Sequence, residues 1–522
     1  MTRLALAAVI SAAVLAAGLT KIADLDFWWQ LKTGQLIAAT HSVPRTDVFS
    51  YTAFGREYVD HEWLFQLIQY ATYAAAGPAG TALLKCLIVA LTLIVVAMYA
   101  LARGVDPVVA GGLALLSLAG GITRFIERPE LFSTLFAVLT FILCDAYSRS
   151  RDWRLLVPLP ILCAVWSNVH AAVIVGLVIQ LMFVRSAPQV TALVASIATS
   201  GLNPFAYRVL TVPFELTGII NSGVVNNDEW RNPTLAKAPF YFVALVVTLV
   251  LLVRSRRLAV IGVAVFLAFI SLRYIRNIAL FSVFVPLLVA EQAARLSRTW
   301  RVVVAAIGAV CAAVALTVYF PFQRGVGVAS YFPERIARFV RERDLRGHMF
   351  NSYGFGGYLI WTLFPERRVF IDGRNEVYLP LLIQLRAARS DSRAWTALLR
   401  DEQIEYALVE YIDDLDRVTT FDRAGRATTG FAPITTTRFP RARWALVDWD
   451  DQGMVFVRRG GPNSVAGEYD AIFPEGRGYE RELVASGTLD RSGVVAQLQR
   501  KLAEDPGCTR ARALLAEVGQ NR

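Results

Sequence analysis

Two carboxylates separated by one residue stand just after the first apolar segment of the chain. Asp24 and Asp26 are followed at once by Phe27, Trp28 and Trp29. Aromatic side chains of this kind suit the boundary between lipid and water. A carboxylate at that boundary must be solvated by water, paired with a cation or used in a reaction. One chemistry open to such a carboxylate is general-base catalysis, in which it takes a proton from a nucleophile. The alternative is a solvated loop with an aromatic anchor.

A second polar cluster, Asp60, His61 and Glu62, follows in the same loop. The histidine, flanked by two acids, could transfer a proton or orient one of the acids, because imidazole changes its charge near neutral pH. Consecutive side chains diverge, so the three residues make a poor metal site by themselves. A cation that bridged Asp26 to Asp60 or Glu62 would be Mg2+ or Mn2+, since carboxylate oxygens select these ions.

The apolar segments around these clusters must hold them in place. Roughly 20 apolar residues, rising about 1.5 Å each, cross the hydrocarbon core of a bilayer. The sequence predicts about eleven such spans, several of them short enough to be buried or tilted. They are Leu4–Thr20, Ala82–Ala102, Val108–Ile122, Leu131–Tyr147, Leu155–Ser167, Ala171–Val184, Val190–Leu202, Phe240–Val253, Leu258–Leu272, Ile278–Ala290 and Val302–Phe320. We expect the first span to be an uncleaved anchor and not a signal peptide.

The composition agrees with a polytopic α-helical membrane protein. Of the 522 residues, 55% are hydrophobic and 18% are charged, whereas a soluble chain carries about 25% charged residues. This deficit excludes a soluble enzyme, a disordered protein and a disulfide scaffold. The five cysteines form no CxxC pair, and we expect them to be small core residues.

Three arginine clusters, each between two spans, set the predicted orientation. They are Arg149/Arg151/Arg154, Arg254/Arg256/Arg257 and Arg295/Arg298/Arg301. Cytoplasmic loops carry an excess of Lys and Arg, so we assign all three clusters to the cytoplasm, which requires that residues 63–76 lie along the membrane without crossing it. The outer loop of residues 21–81, with its interfacial helices, and everything after Phe320 are then outside. The formal net charge of +11 follows largely from this topology, and nucleic acid is not a predicted partner.

The order of features in the outer loop resembles the first extracytoplasmic loop of the GT-C glycosyltransferases, which use polyprenyl-phosphate sugars as donors. Its start, Asp24 to Trp29, looks like that of oligosaccharyltransferase catalytic subunits. The layout as a whole is similar to that of protein O-mannosyltransferases and lipid A aminoarabinose transferases. The resemblance implies that Asp26, with Asp24 as second choice, is the catalytic acid. The cluster Asp60–Glu62 corresponds by position only, because those families do not share this tripeptide.

Four arginines on the same predicted outer side would then face the donor: Arg124, Arg128, Arg273 and Arg276. A guanidinium group is shaped to hold phosphate oxygens at two points, and a lipid-linked sugar would present such phosphates at this membrane face. We therefore predict that these arginines bind the donor phosphate. The alternative for each is ordinary snorkelling to the interface. We expect His170 to be a hydrogen-bonded structural residue.

The composition changes after the last span to that of a water-soluble domain. We predict a transmembrane domain over residues 1–321, an extracytoplasmic α/β domain over residues 322–480, and a helical, tetratricopeptide-like hairpin over residues 481–522. The predicted strands are His348–Asn351, Arg368–Asp372, Tyr406–Glu410, Trp444–Asp448 and Met454–Arg458. A single hairpin cannot bury its own face, so it should pack on the preceding domain, and it could bind a protein partner.

A glycine-rich turn between Tyr353 and Tyr358 is followed by Asp372 and Arg374. Clustered glycines let a backbone approach a ligand closely. The arrangement looks like the aromatic-Gly-Tyr motif and the later Asp-Asn stretch of oligosaccharyltransferase catalytic subunits, where the motif helps to hold the acceptor peptide. The resemblance makes these four residues acceptor-binding candidates. The tryptophans and aspartate of that motif are replaced here, so peptide binding does not carry over, and a tight turn between strand and helix is the alternative.

These features together predict a GT-C-like glycosyltransferase of a bacterial inner membrane. It would pass a sugar from a polyprenyl-phosphate or polyprenyl-pyrophosphate carrier to an acceptor at the extracytoplasmic face. The leaving group would already be charged and anchored in membrane lipid, so no soluble cofactor is required. One alternative is a transporter or flippase of lipid-linked saccharides, which would show charges within spans, repeats and broken helices. Another is a non-catalytic, membrane-anchored assembly protein.

Overall fold

The chain divides into two compact units in its computed structural model. Unit 1 comprises residues 1–45 and 59–329, and unit 2 comprises residues 46–58 and 330–522. The structure describes residues 2–224, 227–319, 324–389, 391–411, 415–421, 425–463, 467–475 and 479–519. The predicted boundary between residues 321 and 322 lies outside the described residues, and the three predicted domains stay predictions.

Unit 1 is α-helical. Its α-helices, within the described residues, are α1 (Arg3–Gly18), α2 (Phe27–Thr40), α3 (Trp63–Ala102), α4 (Pro107–Gly121), α5 (Glu130–Ser150), α6 (Pro158–Val169), α7 (Val173–Phe183), α8 (Ala187–Ser200), α9 (Val212–Asn221), α10 (Pro239–Leu252), α11 (Leu258–Arg273), α12 (Ile278–Ala293) and α13 (Arg298–Val318). Helices α4 and α13 touch at Gly112 and Gly308, where a Cβ atom built on Gly308 would lie 1.8 Å from the Gly112 carbonyl oxygen. Small residues permit such close helix packing in membranes.

Five helices in the described residues are long and apolar enough to cross a membrane. They are Trp63–Ala102, Pro107–Arg124, Glu130–Ser150, Ile275–Ala293 and Arg298–Val318. Shorter apolar helices accompany them at Arg3–Gly18, Trp153–Val169, Val173–Phe183, Pro239–Leu252 and Leu258–Arg273. The chain is thus a membrane protein of the α-helical class, and the count of about eleven spans stays a prediction. All five cysteines are free and buried, which confirms the prediction that they are core residues.

Helix α3 joins two segments that the sequence predicts as a separate interfacial helix and a span. Gly77 interrupts it with a φ of 57° and a ψ of −149°, and Pro78 follows. Glycine adopts this backbone conformation without strain, and proline has no N–H to continue the helical hydrogen bonds. The break therefore falls between the predicted end at Ala76 and the predicted start at Ala82.

Unit 2 combines a mixed β-sheet with helices. Its strands are β1 (His348–Asn351), β2 (Ile404–Glu410), β3 (Leu415–Phe421), β4 (Ala427–Pro433), β5 (Trp444–Trp449) and β6 (Gly453–Arg458). Its α-helices within the described residues are α14 (Glu334–Glu342), α15 (Gly356–Leu363), α16 (Asn375–Ala388), α17 (Ser392–Asp401), α18 (Ile434–Thr437), α19 (Tyr479–Ala485), α20 (Arg491–Glu504) and α21 (Thr509–Gly519). The main sheet has the order β1-β2-β6-β5, and β3 pairs with β4 apart from it. Strand β1 is parallel to β2, and the other neighbours in the main sheet are antiparallel.

The predicted strand Arg368–Asp372 is wrong. Its Val369 forms an isolated bridge with Ser50, donating its N–H to the Phe49 carbonyl oxygen at 3.0 Å. The segment is extended because it pairs with the early residues 46–58, which belong to the same unit, and not with the sheet. The paired helices α20 and α21 contribute apolar side chains, Leu498 and Leu514 among them, to the core of unit 2.

Candidate active site

Arg128 binds three carboxylates within unit 1. Its Nη2 donates to Asp24 Oδ1 at 2.6 Å and to Asp26 Oδ2 at 2.9 Å. Its Nη1 donates to Glu229 Oε2 at 2.8 Å, and its Nε donates to the second oxygen of Asp24. Four of the five guanidinium N–H groups are therefore engaged with acids. The two acids and one of the arginines that the sequence singles out meet at one place.

The turn before α2 holds the acidic pair. The Asp26 backbone N–H donates to Asp24 Oδ1 at 3.2 Å, and the Trp29 indole donates to Asp26 Oδ1 at 3.1 Å. Phe27 and Trp28 are fully buried, with both rings against Tyr73 of α3. The aromatic run thus anchors the turn in the interior of unit 1.

The environment of Asp26 suits proton transfer. Burial raises the pKa of Asp26 to about 7, because desolvation disfavours its charged form. The Arg128 guanidinium opposes this shift, and the Asp24 carboxylate adds to it. Since 28% of the Asp26 side chain stays exposed, a reacting molecule can reach it. A carboxyl group with a pKa near neutrality can accept a proton at physiological pH and release it again.

A cavity of about 430 Å³ lies beside Arg128, a volume within the range of small-molecule sites. Part of its wall is polar and includes Arg124, Arg128, Glu130 and Arg276. The rest is apolar, with Ile174, Val175, Val178, Phe214, Phe266 and Ile270 among its residues. The cavity can therefore hold a molecule that is anionic at one end and apolar at the other.

Internal ion pairs occupy the arginines of this wall. Arg124 Nη1 donates to Glu229 Oε1 at 2.8 Å, and Arg276 Nη2 donates to Glu130 Oε1 at 2.6 Å. Although burial disfavours its charge, Arg128 and Arg124 lower the pKa of Glu229 to about 2. Glu229 is therefore ionised at neutral pH and acts as the counter-ion of both arginines. An incoming anion would have to replace it.

His170 also lines the cavity. The Trp166 indole donates to Ser133 Oγ at 2.8 Å, and the same oxygen lies 2.8 Å from His170 Nδ1. The indole nitrogen can only donate, so the Ser133 oxygen accepts that bond, and its hydroxyl hydrogen can be donated to an unprotonated Nδ1 of His170. Burial lowers the pKa of His170 to about 3. The ring is therefore neutral, and donation from Ser133 to Nδ1 would place its proton on Nε2.

The three side chains of the second polar cluster point to different partners. Asp60 accepts a hydrogen bond from Gln66 Nε2 at 2.8 Å, and Glu62 accepts one from Gln30 Nε2 at 2.9 Å. Both acids are buried, and burial raises the pKa of Glu62 to about 7. His61 alone among them lines the cavity. The expected divergence of the tripeptide is present, and it leaves His61 as its cavity-facing member.

No three Asp, Glu, His or Cys side chains among the described residues are grouped so that they could share a metal ion. The carboxylate of Asp26 is held by Arg128 and that of Glu62 by Gln30. The Mg2+ or Mn2+ predicted between them stays a prediction.

Arg273 does not join the other three predicted phosphate ligands. It is exposed at the end of α11, its Nη2 donates to Asn221 Oδ1 at 3.3 Å, and its guanidinium lies 5.0 Å from the Tyr274 ring centroid. Arg276 follows one short turn later and does line the cavity. Two arginines only three positions apart in the sequence therefore differ in environment: Arg273 is exposed, and Arg276 lines the cavity.

In unit 2, the predicted acceptor ligands Asp372 and Arg374 are buried. Arg374 Nη2 donates to Asp372 Oδ2 and to Asp47 Oδ1, both at 2.6 Å. The Tyr378 hydroxyl completes the cluster by donating to Asp372 Oδ2 at 2.5 Å. These groups satisfy one another and leave no exposed surface for an acceptor. We therefore correct their role to that of an internal ion cluster.

The two predicted acceptor tyrosines are also engaged within unit 2. The Tyr353 hydroxyl donates to Asn375 Oδ1 at 3.0 Å, which ties the glycine-rich segment to the start of α16. Tyr358 is buried, and its ring stacks on that of Phe332 with centroids 5.5 Å apart. The arrangement agrees with the alternative interpretation of the motif as a tight turn between strand and helix.

Three residues that line the cavity or pair with its arginines were not among the candidate site residues predicted from the sequence: Glu130, His170 and Glu229. Glu130 stands in the same predicted outer loop as Arg124 and Arg128, and Glu229 stands in another loop on the same predicted side, so opposite charge on one face could have marked both acids. For His170, no local pattern reveals the hydrogen bonds to residues of α5 and α6, because those contacts depend on tertiary packing.

No protein-family model matches the chain, and no curated protein matches it significantly. Solved structures do. The Archaeoglobus fulgidus oligosaccharyltransferase in its apo form is 12% identical, with a TM-score of 0.57, covering 83% of this chain and 74% of that one. The oligosaccharyltransferase AglB of the same organism, in complex with an inhibitory peptide and a dolichol-phosphate, is 11% identical, with a TM-score of 0.60, covering 98% and 83%.

A mutant of the mycobacterial arabinofuranosyltransferase AftD is 14% identical over 90% of this chain and 42% of that one, with a TM-score of 0.46, which is too low to assign a fold. At the identities of the two archaeal structures the likeness concerns the fold, and it agrees with the fold that the loop pattern predicts. The chain therefore has the fold of the GT-C membrane glycosyltransferases.

Proposed function

We propose that this chain is an integral membrane glycosyltransferase that moves a sugar from a polyprenyl-phosphate-linked donor to an acceptor at the extracytoplasmic membrane face. The observation that carries the proposal is the convergence of Asp24 and Asp26 on Arg128, beside a cavity whose wall changes from charged to apolar. A donor with a phosphate group and a prenyl chain requires both kinds of wall.

The donor would bind with its phosphate towards Arg124, Arg128 and Arg276. The structurally similar AglB has been solved with a dolichol-phosphate, which is a lipid of this chemical type. Guanidinium groups at this position would offset the charge that develops on the departing phosphate, and such electrostatic stabilisation is a large contribution in many enzymes. The apolar part of the cavity would receive the first prenyl units.

Asp26 would act as the general base. As the acceptor nucleophile attacks the anomeric carbon, its proton passes to the Asp26 carboxylate. The bond between the anomeric carbon and the phosphate oxygen breaks, and its electron pair leaves with the lipid phosphate. Asp26 then returns the proton to water. Asp24 would assist by holding Arg128 and by keeping the pKa of Asp26 high.

The proposal includes a bacterial inner-membrane location with about eleven spans and with unit 2 on the extracytoplasmic side. It is supported by the three arginine clusters, which the positive-inside rule assigns to the cytoplasm. We further propose that any protein partner would use the exposed faces of α20 and α21.

Asp26→Asn tests the proposal, because an amide cannot accept a proton at neutral pH. We expect a loss of at least about 100-fold in transfer, as for removal of a general base, measured as surface glycan in cells whose only copy carries the substitution. Arg273→Ala changes an exposed arginine outside the cavity and is the matched control. Full surface glycan at normal expression of Asp26→Asn would exclude catalysis by Asp26 and favour a transporter or an assembly protein.

A further inference from the structure

Glu229 holds two of the cavity arginines in the way that a phosphate group would hold them. Its Oε1 accepts a hydrogen bond from Arg124 Nη1 and its Oε2 accepts one from Arg128 Nη1, both at 2.8 Å. This carboxylate thus presents to two guanidinium groups a pair of oxygens that share one negative charge. A phosphate esterified on one side to a sugar and on the other to a prenyl chain also has two free oxygens that share one charge. Glu229 therefore indicates both the place and the charge of a group that could replace it.

The charges of the cavity arginines are already compensated by acids. Within the part of the chain that the structure describes, three guanidinium groups form ion pairs with four carboxylates. The arginines are Arg124, Arg128 and Arg276, and the acids are Asp24, Asp26, Glu130 and Glu229. Asp26 has to be ionised to act as the proposed general base, and the cluster then carries one negative charge in excess. These side chains therefore offer a ligand no surplus of positive charge.

Glu229 is the acid whose replacement would give a ligand the most contacts. It lies on the short turn Asp228–Trp230, and 24% of its side chain is exposed. An anion in its place would contact two arginines, whereas each of the other three acids is paired with one arginine among the described residues. One exchange, at Glu229, therefore admits one negative charge. A second anionic group would need a second exchange or would stay unpaired.

We infer that the donor carries a single phosphate, so that it is a polyprenyl-monophosphate sugar and not a polyprenyl-pyrophosphate sugar. This inference rests on the proposed function, whose donor class it narrows. A sugar linked through one phosphate brings one negative charge, which takes over the two guanidinium contacts of Glu229. A pyrophosphate link brings two charges, and the second adds to a cluster that already has one negative charge in excess. Like charges at short range repel strongly in a partly buried site.

Competition between two lipids for the full-length protein, measured by native mass spectrometry, tests the inference. The probes are undecaprenyl methyl phosphate, with one charge, and undecaprenyl methyl pyrophosphate, with two. The methyl group stands for the sugar, whose identity the test does not require. We expect the parent protein to bind the monophosphate at least about tenfold more tightly, a lower bound for one unpaired charge. Glu229→Gln removes one negative charge, so the pyrophosphate should gain about tenfold more affinity than the monophosphate does, and the preference should shrink accordingly.

Asp228→Asn, which changes a 66% exposed acid on the same turn, is the matched control and should keep the preference of the parent protein. Equal or tighter binding of the pyrophosphate by the parent, in EDTA or with added Mn2+, would overturn the inference and leave the proposed transferase in place. An unchanged preference in Glu229→Gln would also overturn it, because Glu229 would then not set the charge that the site accepts. Failure of both lipids to bind would instead contradict the proposed function. The comparison within the parent protein decides the question even if Glu229→Gln does not fold.

Discussion

The raised pKa of Asp26 couples the stability of unit 1 to pH. Its value in the folded chain is about 7, against an ordinary value of 3.8. Between these values the folded state holds a proton that the unfolded state has released, so stability falls as pH rises through this window and then levels off. Asp26→Asn removes this titration, and the variant should therefore gain thermal stability relative to the parent between about pH 5 and about pH 8.

Thermal unfolding of both proteins in nanodiscs at these two pH values measures the difference. Glu342→Gln, which changes an exposed carboxylate of α14, is the control and should follow the parent at both values. A constant difference between Asp26→Asn and the parent across the range would show that the carboxyl does not titrate there.

The hydrogen-bond chain Trp166–Ser133–His170 predicts a fixed tautomer. The chain has four histidines, so nitrogen-15 labelling of histidine gives few signals, and His170→Gln identifies those of His170. We expect a neutral ring with its proton on Nε2 throughout the range from about pH 5 to about pH 8. In Ser133→Ala the Nδ1 atom loses its donor, and the tautomers should mix. A His170 signal that becomes doubly protonated near neutral pH would contradict the prediction.

At the scale of elements, the short turn Asp228–Trp230 controls access to the arginines. Its Glu229 binds both Arg124 and Arg128, so an anionic lipid must displace this carboxylate. Glu229→Gln keeps the size of the side chain but removes the competing charge. We expect tighter binding of undecaprenyl phosphate, by about tenfold for one charged contact released, measured by native mass spectrometry of the purified protein.

Asp228→Asn on the same turn is the matched control. Asp228 is 66% exposed and pairs with Arg231 and Lys237, neither of which lines the cavity. Its replacement should leave the affinity unchanged. Weaker lipid binding by Glu229→Gln would mean that Glu229 orders the arginines for the phosphate and does not compete with it.

The sequence predicts well those elements whose signal lies in neighbouring residues of the chain. Apolar length marks the helices of unit 1, and short β-rich runs mark β1, β2, β5 and β6. The acidic pair Asp24 and Asp26 is recognisable because it directly follows an apolar segment. By contrast, residue type alone cannot show that Arg276 lines the cavity while Arg273 lies outside it. That difference depends on the short turn Ile275–Asn277 after α11.

The role of Arg374 was beyond local reasoning for a different reason. Its partner Asp47 stands 327 positions earlier in the chain. A pair so distant in sequence leaves no periodic or compositional signal, so the sequence indicated acceptor binding for Asp372 and Arg374 and gave no sign of the ion pair with Asp47. Burial of all three charges became apparent only in the folded unit.

At the scale of the whole molecule, residues 46–58 stabilise unit 2 through Asp47. Besides Arg374, this carboxylate accepts hydrogen bonds from the Ser50 hydroxyl at 2.6 Å and the Ser50 N–H at 3.1 Å. Asp47→Ala leaves a buried arginine with one carboxylate fewer. Removal of one partner of a buried ion pair costs about 3–5 kcal/mol, so the free energy of unfolding of unit 2 should fall by an amount of this order.

Hydrogen exchange of β2 and β6 in the full-length protein measures this loss. The control is Glu334→Ala, which removes an exposed ion pair with Arg338 and should cost less than about 1 kcal/mol. If Asp47→Ala protected these strands as well as the parent does, the ion cluster would not contribute to the stability of unit 2.

The discontinuity of unit 2 imposes an order on synthesis. Residues 46–58 leave the ribosome first, and the strands and helices that they join begin only after residue 330. The contacts of this early segment with the later residues of unit 2 cannot form until the intervening helices have been translated. A protein shortened to residues 330–522 would lack it altogether, and its Arg374 would miss the Asp47 carboxylate. Recombinant production of this unit by itself would therefore need the early peptide supplied in trans or fused to its start.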